Sequence, residues 1–579
     1  MGNDTKTFAN SPIAEALKTC RQGLWGVVAF SLCINLLMLT APIYMMQVFD
    51  RVLSSRSTET LTLLFVVAVL ALLTHGTLEV IRGRLFIKIS DWLDHQLGGV
   101  VLSANVTQAL KSQRGPSVQG LRDLATIKGF LTGPAVFPIL DAPWAPIFMG
   151  VMFLLHPLLG WISLIGAIVL FSLVLINETT SKDKLMKAGG ASVAAMNKAE
   201  AAARNADVVM GMGMMPNLTQ HWGKHAGEAR GFQNDASRTS GIVTAASKFF
   251  RMVLQVGIMT GGAWLVLQNE LTPGAMIAGS ILMGRALAPV EQAIGSWKSV
   301  VSARGAYARL NAQLIENALQ PQSMSLPMPT GKIDVEGVTY AYPQSSEPTI
   351  KNVSFSLTAG ETLGIVGPTA SGKSTLARML IGNLTPRIGH VRLDDMDVAE
   401  WSSEDLGPHI GYLPQDVELF GGTVQENIAR LGEASSEDVV AAAQLANVHE
   451  MVLRLEKGYD TEIGEGGAAL SGGQRQRIGF ARALFQSPKL VVLDEPNANL
   501  DQEGELALIQ AIEKLKEQKT TAIIVAHRPA ILQHVDKILV LKDGKVQMFD
   551  ERSEVLKKIS GPQKLAVESE DAPSIAKQT

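Results

Sequence analysis

Six long apolar runs divide the first half of the sequence and limit what it can fold into. The first extends from Gly23 to about Val48 without a charged residue, which exceeds the roughly 20 residues that an α-helix needs to cross a bilayer. Because backbone groups must pair internally in lipid, such runs predict membrane-spanning helices. Only 18% of the residues are charged, which agrees with a membrane protein. The other five runs cover about 61–80, 136–155, 158–176, 253–267 and 275–294.

The second half has a different pattern. Residues 320–331 contain three prolines and interrupt every periodicity, so they predict an extended linker. Short β-rich runs then alternate with amphipathic helices, which is typical of an α/β domain. We therefore expect a multi-domain membrane protein with an all-α transmembrane domain followed by an α/β domain. The expected divisions are a lead-in at 1–22, the membrane domain at 23–319, the linker at 320–331, the α/β domain at 332–559 and a polar tail at 560–579.

A phosphate-binding loop lies near the start of the α/β domain. The stretch G-P-T-A-S-G-K-S-T fits G-x-x-x-x-G-K-[ST] and stands between a buried strand and a helix. Its glycines let consecutive N–H groups turn toward an anion, its lysine carries the charge for the β- and γ-phosphates, and its serine hydroxyl suits Mg²⁺. The predicted nucleotide-binding residues are Gly367, Pro368, Thr369, Ala370, Ser371, Gly372, Lys373, Ser374 and Thr375.

Four further residues have the chemistry of ATP hydrolysis. Asp494 ends the strand L-V-V-L and suits the Mg²⁺ shell, while the adjacent Glu495 is a candidate general base for water. Gln415, in G-Y-L-P-Q-D, could place an amide near Mg²⁺ and the attacking water, so Ser374, Gln415 and Asp494 form the predicted metal set. His527 follows the strand A-I-I-V-A and could sense the γ-phosphate.

Two more motifs complete an ordered series. Tyr342, in Y-A-Y-P, could stack on a nucleobase. The stretch L-S-G-G-Q opens a helix and predicts a second anion cradle made by Ser471, Gly472, Gly473 and Gln474. Asp501 closes the stretch N-A-N-L-D and is also assigned to the nucleotide site. Each motif alone could be a turn, a helix cap or a buried strand, but their order after a phosphate loop favours an ATP site.

From 333 to about 549 the chain resembles the ATPase domain of ABC transporters. The A-loop, Walker A, Q-loop, signature, Walker B, D-loop and switch histidine are all present, and T-E-I-G-E-G-G at 461–467 resembles the X-loop of ABC exporters. The D-loop reads A-N-L-D where S-A-L-D is commoner, but its aspartate is in place. The resemblance implies a type I ABC exporter fold. It also implies a homodimer with two ATP sites, each formed by the Walker A face of one copy and the signature face of the other.

The membrane half resembles the ABC subunit of type I protein secretion systems. The resemblance lies in three separated stretches, at 42–61, 137–146 and 204–216. Only about 20 residues precede the first apolar run, so no N-terminal peptidase-like domain is expected. The resemblance implies export of metalloproteases, lipases or other RTX-type proteins with an uncleaved C-terminal signal. It also implies a membrane-fusion protein and a TolC-like outer-membrane channel as partners, and a place in the bacterial inner membrane.

Two other functions remain open at this point: a lipid or small-molecule exporter of the same architecture, and an ATP-gated channel or regulator. Nucleic acid is not an expected partner, because the net charge is −3 and no basic tract is present. The ATPase domain must meet cytosolic ATP, which places both termini in the cytoplasm. Asp141, in the third apolar run, either lines a channel kink beside Pro143 and Pro146 or has a structural partner. The sequence does not identify the cargo, the ATP stoichiometry or the roles of Arg285 and Glu291.

Overall fold

A computed structural model describes residues 12–111, 118–318, 327–342, 345, 347–498, 500–526 and 528–560. The chain divides into two compact units, Met1–Gln320 and Pro321–Thr579. The start of the expected lead-in, most of the expected linker, nearly all of the expected tail and His527 lie outside the described residues.

The first unit is helical in the part of the chain that the structure describes. A π-helical turn at Val48–Val52 and a 3₁₀ turn at Ala142–Trp144 interrupt its helices. Those helices are α1 (Pro12–Thr19), α2 (Arg21–Leu37), α3 (Thr40–Gln47), α4 (Leu53–Ser55), α5 (Thr58–Lys111), α6 (Gln119–Thr132), α7 (Val136–Asp141), α8 (Ala145–Leu155), α9 (Pro157–Arg204), α10 (Ala206–Gly211), α11 (Met215–Leu267) and α12 (Pro273–Ala318).

The six predicted spans are confirmed, because six helical segments among the described residues are long and apolar enough to cross a membrane. Four of the described helices are much longer than a span. Helix α5 has 54 residues, α9 has 48, α11 has 53 and α12 has 46, whereas about 20 residues cross the hydrocarbon core. The polar segments between the spans are therefore continuations of the spanning helices.

The third apolar run is broken at the place where its prolines predict a kink. Helix α7 ends at Asp141, a 3₁₀ turn contains Pro143, and α8 begins one residue before Pro146. Each proline lacks the N–H that would continue the helical ladder and clashes with the preceding turn. The kink is thus a direct result of local sequence.

Asp141 has structural partners on two other helices. Its Oδ1 accepts hydrogen bonds from Arg82 Nη1 at 2.8 Å, Ser31 Oγ at 2.5 Å and Asn35 Nδ2 at 3.1 Å. The Arg82 guanidinium also lies 4.7 Å from the centroid of the Phe137 ring. Of the two interpretations of Asp141, the structure supports the structural ion pair, which joins α2, α5 and α7.

Two other charges on the spans have different surroundings. Glu291 on α12 pairs with Arg251 on α11 at 3.0 Å, whereas Arg285 is exposed on the surface of this single chain. At the outer end, the Asp50 carboxylate accepts hydrogen bonds from Thr272 Oγ1 at 2.6 Å and from Gly274 N at 2.8 Å. Asp50 thereby caps α12 from a distant part of the chain.

The second unit is an α/β domain. Its strands are β1 (Ile333–Tyr340), β2 (Ile350–Leu357), β3 (Thr362–Val366), β4 (Ile388–Leu393), β5 (Met396–Asp397), β6 (Ile410–Leu413), β7 (Leu490–Asp494), β8 (Thr521–Val525), β9 (Lys537–Lys542) and β10 (Lys545–Glu551). Its helices are α13 (Lys373–Leu380), α14 (Ser403–Leu406), α15 (Val424–Ile428), α16 (Ser436–Leu445), α17 (His449–Leu453), α18 (Gly472–Leu484), α19 (Gln502–Glu517), α20 (Pro529–Leu532) and α21 (Arg552–Ser560).

The strands form an antiparallel sheet, β2-β1-β4-β5, and a larger sheet, β10-β9-β3-β8-β7-β6, which is parallel from β9 to β6. Alternate residues of β7 belong to two separate hydrophobic cores: Leu490 and Val492 to one, Val491 and Leu493 to the other. Successive strand residues point to opposite faces of a sheet, so the two cores lie on its two faces. Helix α13 packs in the first core and α18 in the second.

Candidate ATP site

The phosphate loop connects β3 to α13, as its motif predicts. Ala370 and Gly372 have φ angles of 64° and 99°, which bend the loop tightly before the helix begins. At Gly367 a β-carbon would lie 2.1 Å from the carbonyl oxygen of Leu541, so only glycine fits there. The loop is therefore shaped by residues that cannot be exchanged without moving its backbone.

Lys373 is buried at the first turn of α13 and folds back over its own loop. Its Nζ donates to the carbonyl oxygens of Gly367 at 3.0 Å and Pro368 at 2.9 Å. Burial lowers the pKa of the Lys373 ammonium, and the nearby carboxylates of Glu495 and Asp494 oppose that change. This ammonium is held where phosphate oxygens could replace the two carbonyls as acceptors.

Asp494 provides the clearest fit for a divalent cation. It ends the fully buried strand β7 and is only 1% exposed. Burial raises the pKa of its carboxyl group, while a hydrogen bond with Ser374 lowers it. Its Oδ1 is buried and has no hydrogen-bond partner among the residues that the structure describes. A buried carboxylate oxygen left unpaired beside a serine hydroxyl matches the all-oxygen ligand set that Mg²⁺ prefers.

Glu495 and Gln415 meet at the ends of two adjacent strands. In the parallel pair β6–β7, Leu413 is opposite Leu493, and each of the two polar residues follows two positions later. The Gln415 amide donates from Nε2 to Glu495 Oε2 at 3.1 Å. Glu495 has a φ of 50°, which is unusual for a residue other than glycine. The register of the sheet thus brings together two residues that lie 80 positions apart.

Tyr342 lies beside the first turn of α13. Its hydroxyl is 3.3 Å from Thr375 Oγ1, and its ring makes an edge-to-face contact with Tyr340 at a centroid distance of 5.1 Å. The structure therefore places an aromatic ring next to the phosphate loop. Stacking of that ring on a base stays a prediction.

The signature residues form the start of α18. Ser471 is the N-cap: its hydroxyl accepts from Gln474 N at 3.2 Å, and Gln474 Oε1 accepts from Ser471 N at 2.9 Å. This capping box leaves the N–H groups of the first turn, which includes Gly472 and Gly473, as candidate anion donors. Ser471 is exposed to solvent.

The structure brings together only part of the predicted set. One group of predicted residues lies together beside the phosphate loop: Lys373, Asp494, Glu495 and Gln415. The apolar side chains of α18 pack in the core on the opposite face of the sheet. No hydrogen bond joins the signature residues to the phosphate loop within the described ranges. His527 lies outside the described residues.

Asp501 has a local structural role that sequence reasoning missed. It caps α19 by accepting from Gly504 N at 2.9 Å, and it also accepts from Arg477 Nη2 at 3.2 Å. Its place after an apolar turn and before a helical run was a readable capping signal. Sequence reasoning also missed Gln476, which contacts the main chain at Glu495; no spacing rule would have identified it.

Comparison with known proteins agrees with this arrangement. A family model described as ABC transporter matches residues 350–498, and one described as ABC transporter transmembrane region matches residues 24–289. The type I secretion system ATP-binding protein PrsD of Rhizobium meliloti (strain 1021) is 43% identical over 568 residues, covering 97% of each chain.

Two further comparisons extend this result. The cyclolysin secretion/processing ATP-binding protein CyaB of Bordetella pertussis (strain Tohama I) is 30% identical over 549 residues, which cover 93% of this chain and 76% of that protein. The solved structure of a bacterial Atm1-family ABC exporter with ATP bound superimposes with a TM-score of 0.82 at 22% identity, covering 93% of this chain and 96% of that one. The predicted exporter fold is thereby confirmed.

Proposed function

The chain belongs to the ABC transporter family as a type I secretion system ATP-binding protein, and from that premise we propose that it exports proteins from the bacterial cytoplasm. In this proposal it lies in the inner membrane and couples ATP hydrolysis to the passage of an unfolded protein that carries a C-terminal signal. A periplasmic membrane-fusion protein and a TolC-like outer-membrane channel continue the path. No nucleic acid takes part.

One observation carries the proposed mechanism: a single chain provides at one place only one of the two faces that an ATP site requires. Helices α13 and α18 pack on opposite faces of the same sheet, and Ser471 is exposed with its hydroxyl used in a cap. A second copy, related by a two-fold axis, would place its Ser471 opposite Lys373. We therefore infer a homodimer with two identical ATP sites.

The residues on one side of this site have separable roles. Lys373 binds the β- and γ-phosphates as a fixed positive charge, and Tyr342 binds the base. Gln415 orients Glu495, whose carboxylate accepts the proton of the attacking water. Ser374, Asp494 and Gln415 are the residues that would hold Mg²⁺, which when bound neutralises charge on the phosphates. The buried Oδ1 of Asp494, which has no hydrogen-bond partner in the part of the chain that the structure describes, supports that assignment.

Hydrolysis must also move the membrane helices. Binding of two ATP molecules closes the paired ATPase units, and hydrolysis reopens them, which alternates the access of the translocation path. Protein cargo is favoured over a lipid or small molecule because the similar proteins PrsD and CyaB are named for type I secretion and for cyclolysin secretion.

The test combines an enzymatic and a cellular measurement. Glu495→Gln keeps the shape of the side chain but removes the base, so kcat for ATP hydrolysis should fall by about 10²- to 10⁴-fold, with ATP retained in a closed dimer. The gene is then deleted and complemented with wild type or with Glu495→Gln, and the culture supernatants are compared by mass spectrometry. Wild type should restore a small set of secreted proteins, and the variant should not.

Two results would contradict the proposal. Normal ATPase activity in the Glu495→Gln variant would show that Glu495 is not the general base. An unchanged set of secreted proteins in the deletion strain, together with altered membrane lipids, would favour a lipid exporter. The exposed residue Gln518, at the C-terminal end of α19, provides a control variant, Gln518→Met, which should behave like wild type in both measurements.

A further inference from the structure

The signature helix α18 contacts the hydrolytic carboxylate of its own chain. Gln476 lies on the second turn of α18 and is 2% exposed. Its Nε2 donates to the carbonyl oxygen of Pro496 at 2.5 Å and to that of Glu495 at 3.3 Å. A buried amide with both of its donors directed at one peptide turn fixes that turn in space.

That turn has an unusual backbone. Glu495 has a φ of 50°, a left-handed conformation that is unfavourable in residues other than glycine and persists only where the surrounding structure enforces it. The Glu495 amide donates to Val525 O at 3.0 Å, which fixes it to β8. On the carbonyl side, Ala498 N donates to Glu495 O at 3.2 Å, and Gln476 donates as well.

The same helix also holds the far end of the segment that follows Glu495. Arg477, the next residue on α18, donates to Asp501 at 3.2 Å, and Asp501 in turn caps α19. Two consecutive side chains of α18 therefore contact both ends of the stretch from Glu495 to Asp501. Gln476 follows Ser471 by five positions, which corresponds to a rise of only about 7.5 Å along the helix.

We propose that Gln476 is a positioning residue for Glu495, which links the orientation of the signature helix to the geometry of the hydrolytic carboxylate in the same chain. The inference rests on the proposed function, because it takes Glu495 as the general base and the homodimer as the working form. In that dimer Ser471 serves the partner's ATP site, whereas Gln476 serves its own. When the signature helix of one chain closes on the nucleotide bound by its partner, it would thereby adjust the position of Glu495 in its own ATP site.

The first experiment uses the full-length protein in lipid nanodiscs. Gln476→Met keeps the length of the side chain and removes both donors. Because a displacement of about 1 Å in a catalytic group can lower a rate by about 10²-fold, we expect kcat to fall between about tenfold and 10²-fold while KM for ATP changes less than about threefold. Gln518→Met is the matched control, and Gln476→Asn, which keeps the donors on a shorter side chain, should recover part of the activity.

The second experiment assigns the effect to one of the two sites. Differently tagged chains are co-purified as dimers in which one chain carries Glu495→Gln, so that hydrolysis uses Glu495 of the other chain and the signature of the inactivated chain. Gln476→Met placed in the chain with intact Glu495 should abolish most of the remaining turnover. The same substitution placed in the Glu495→Gln chain should leave that turnover within about twofold.

The outcomes are distinct. Equal losses from the two placements, or a loss only in the second, would show that Gln476 acts through the signature and would overturn the inference. Full activity of Gln476→Met in both chains would overturn it too. A loss explained by unfolding would appear as a lower melting temperature and as weaker ATP binding, and would also contradict it. If Glu495→Gln itself retained activity, the proposed function would fail first.

Discussion

Removal of the Asp141 carboxylate should destabilise the membrane unit strongly, since it leaves a buried cation. Arg82 is 4% exposed and Asp141 is 15% exposed in their side chains, and the pair also engages Ser31 and Asn35. Loss of one member of a buried pair typically costs about 3–5 kcal/mol. The Phe137 ring stays beside the guanidinium and offsets part of this cost. We therefore expect Asp141→Ala to lower the free energy of unfolding by about 3 kcal/mol.

The assay is equilibrium unfolding of the detergent-solubilised protein with increasing SDS, followed by tryptophan fluorescence. A double-mutant cycle separates the ion pair from packing: the double variant Arg82→Met, Asp141→Ala removes both charges and should recover most of the loss caused by Asp141→Ala alone. Asp235→Ala, at an exposed position on α11, is the control and should change stability by less than about 0.5 kcal/mol. A loss below about 1 kcal/mol for Asp141→Ala, or a double variant no more stable than the single one, would refute the reasoning.

Three other predictions concern the ATPase unit. Lys373→Met should weaken ATP binding without unfolding the domain, as measured by nucleotide titration and thermal denaturation; unchanged affinity would contradict its assigned role. Ser471→Ala should lower the free energy of unfolding by about 1 kcal/mol through the lost helix cap. In the mixed dimers it should abolish ATP turnover when placed in the Glu495→Gln chain and leave turnover intact when placed in the chain with intact Glu495. This is the reverse of the pattern expected for Gln476→Met. Burial would raise the pKa of Asp394, but hydrogen bonds from Thr330 and neighbouring backbone amides hold it below the ordinary value. The contribution of Asp394 to stability is therefore present at neutral pH and lost as the pH falls through its lowered pKa. The free energies of unfolding of Asp394→Ala and wild type should differ at neutral pH and become equal in acid. A difference that stays constant with pH would contradict this.

Local sequence predicted the features that depend on neighbouring residues. The six spans follow from uninterrupted apolar length, and the break at Pro143 follows from the chemistry of proline. The phosphate loop follows from glycines and a lysine at fixed spacing. The meeting of Gln415 and Glu495 agrees with their predicted roles, since the sequence predicts both side chains near the attacking water.

Sequence reasoning is incomplete where a side chain has more than one use. The nucleotide role of Asp501 stays a prediction, and in this chain its carboxylate also caps a helix and pairs with Arg477. The sequence does not single out Gln476, since nothing in L-S-G-G-Q-R-Q-R distinguishes it from Gln474, whose side chain closes the capping box of α18. Such distinctions depend on which face of α18 is buried.

The sequence by itself determined the kinds of element, their order and the chemical groups available for ATP hydrolysis, because these are encoded over stretches of about 10 to 20 residues. Only the tertiary structure decided which groups meet. Asp141 and Arg82 are 59 positions apart and pair through helix packing. The separation of α13 and α18 onto opposite faces depends on strand order and on the alternation of β7. Long-range contacts of this kind leave no local periodicity, since each partner is selected by the packing of the whole unit.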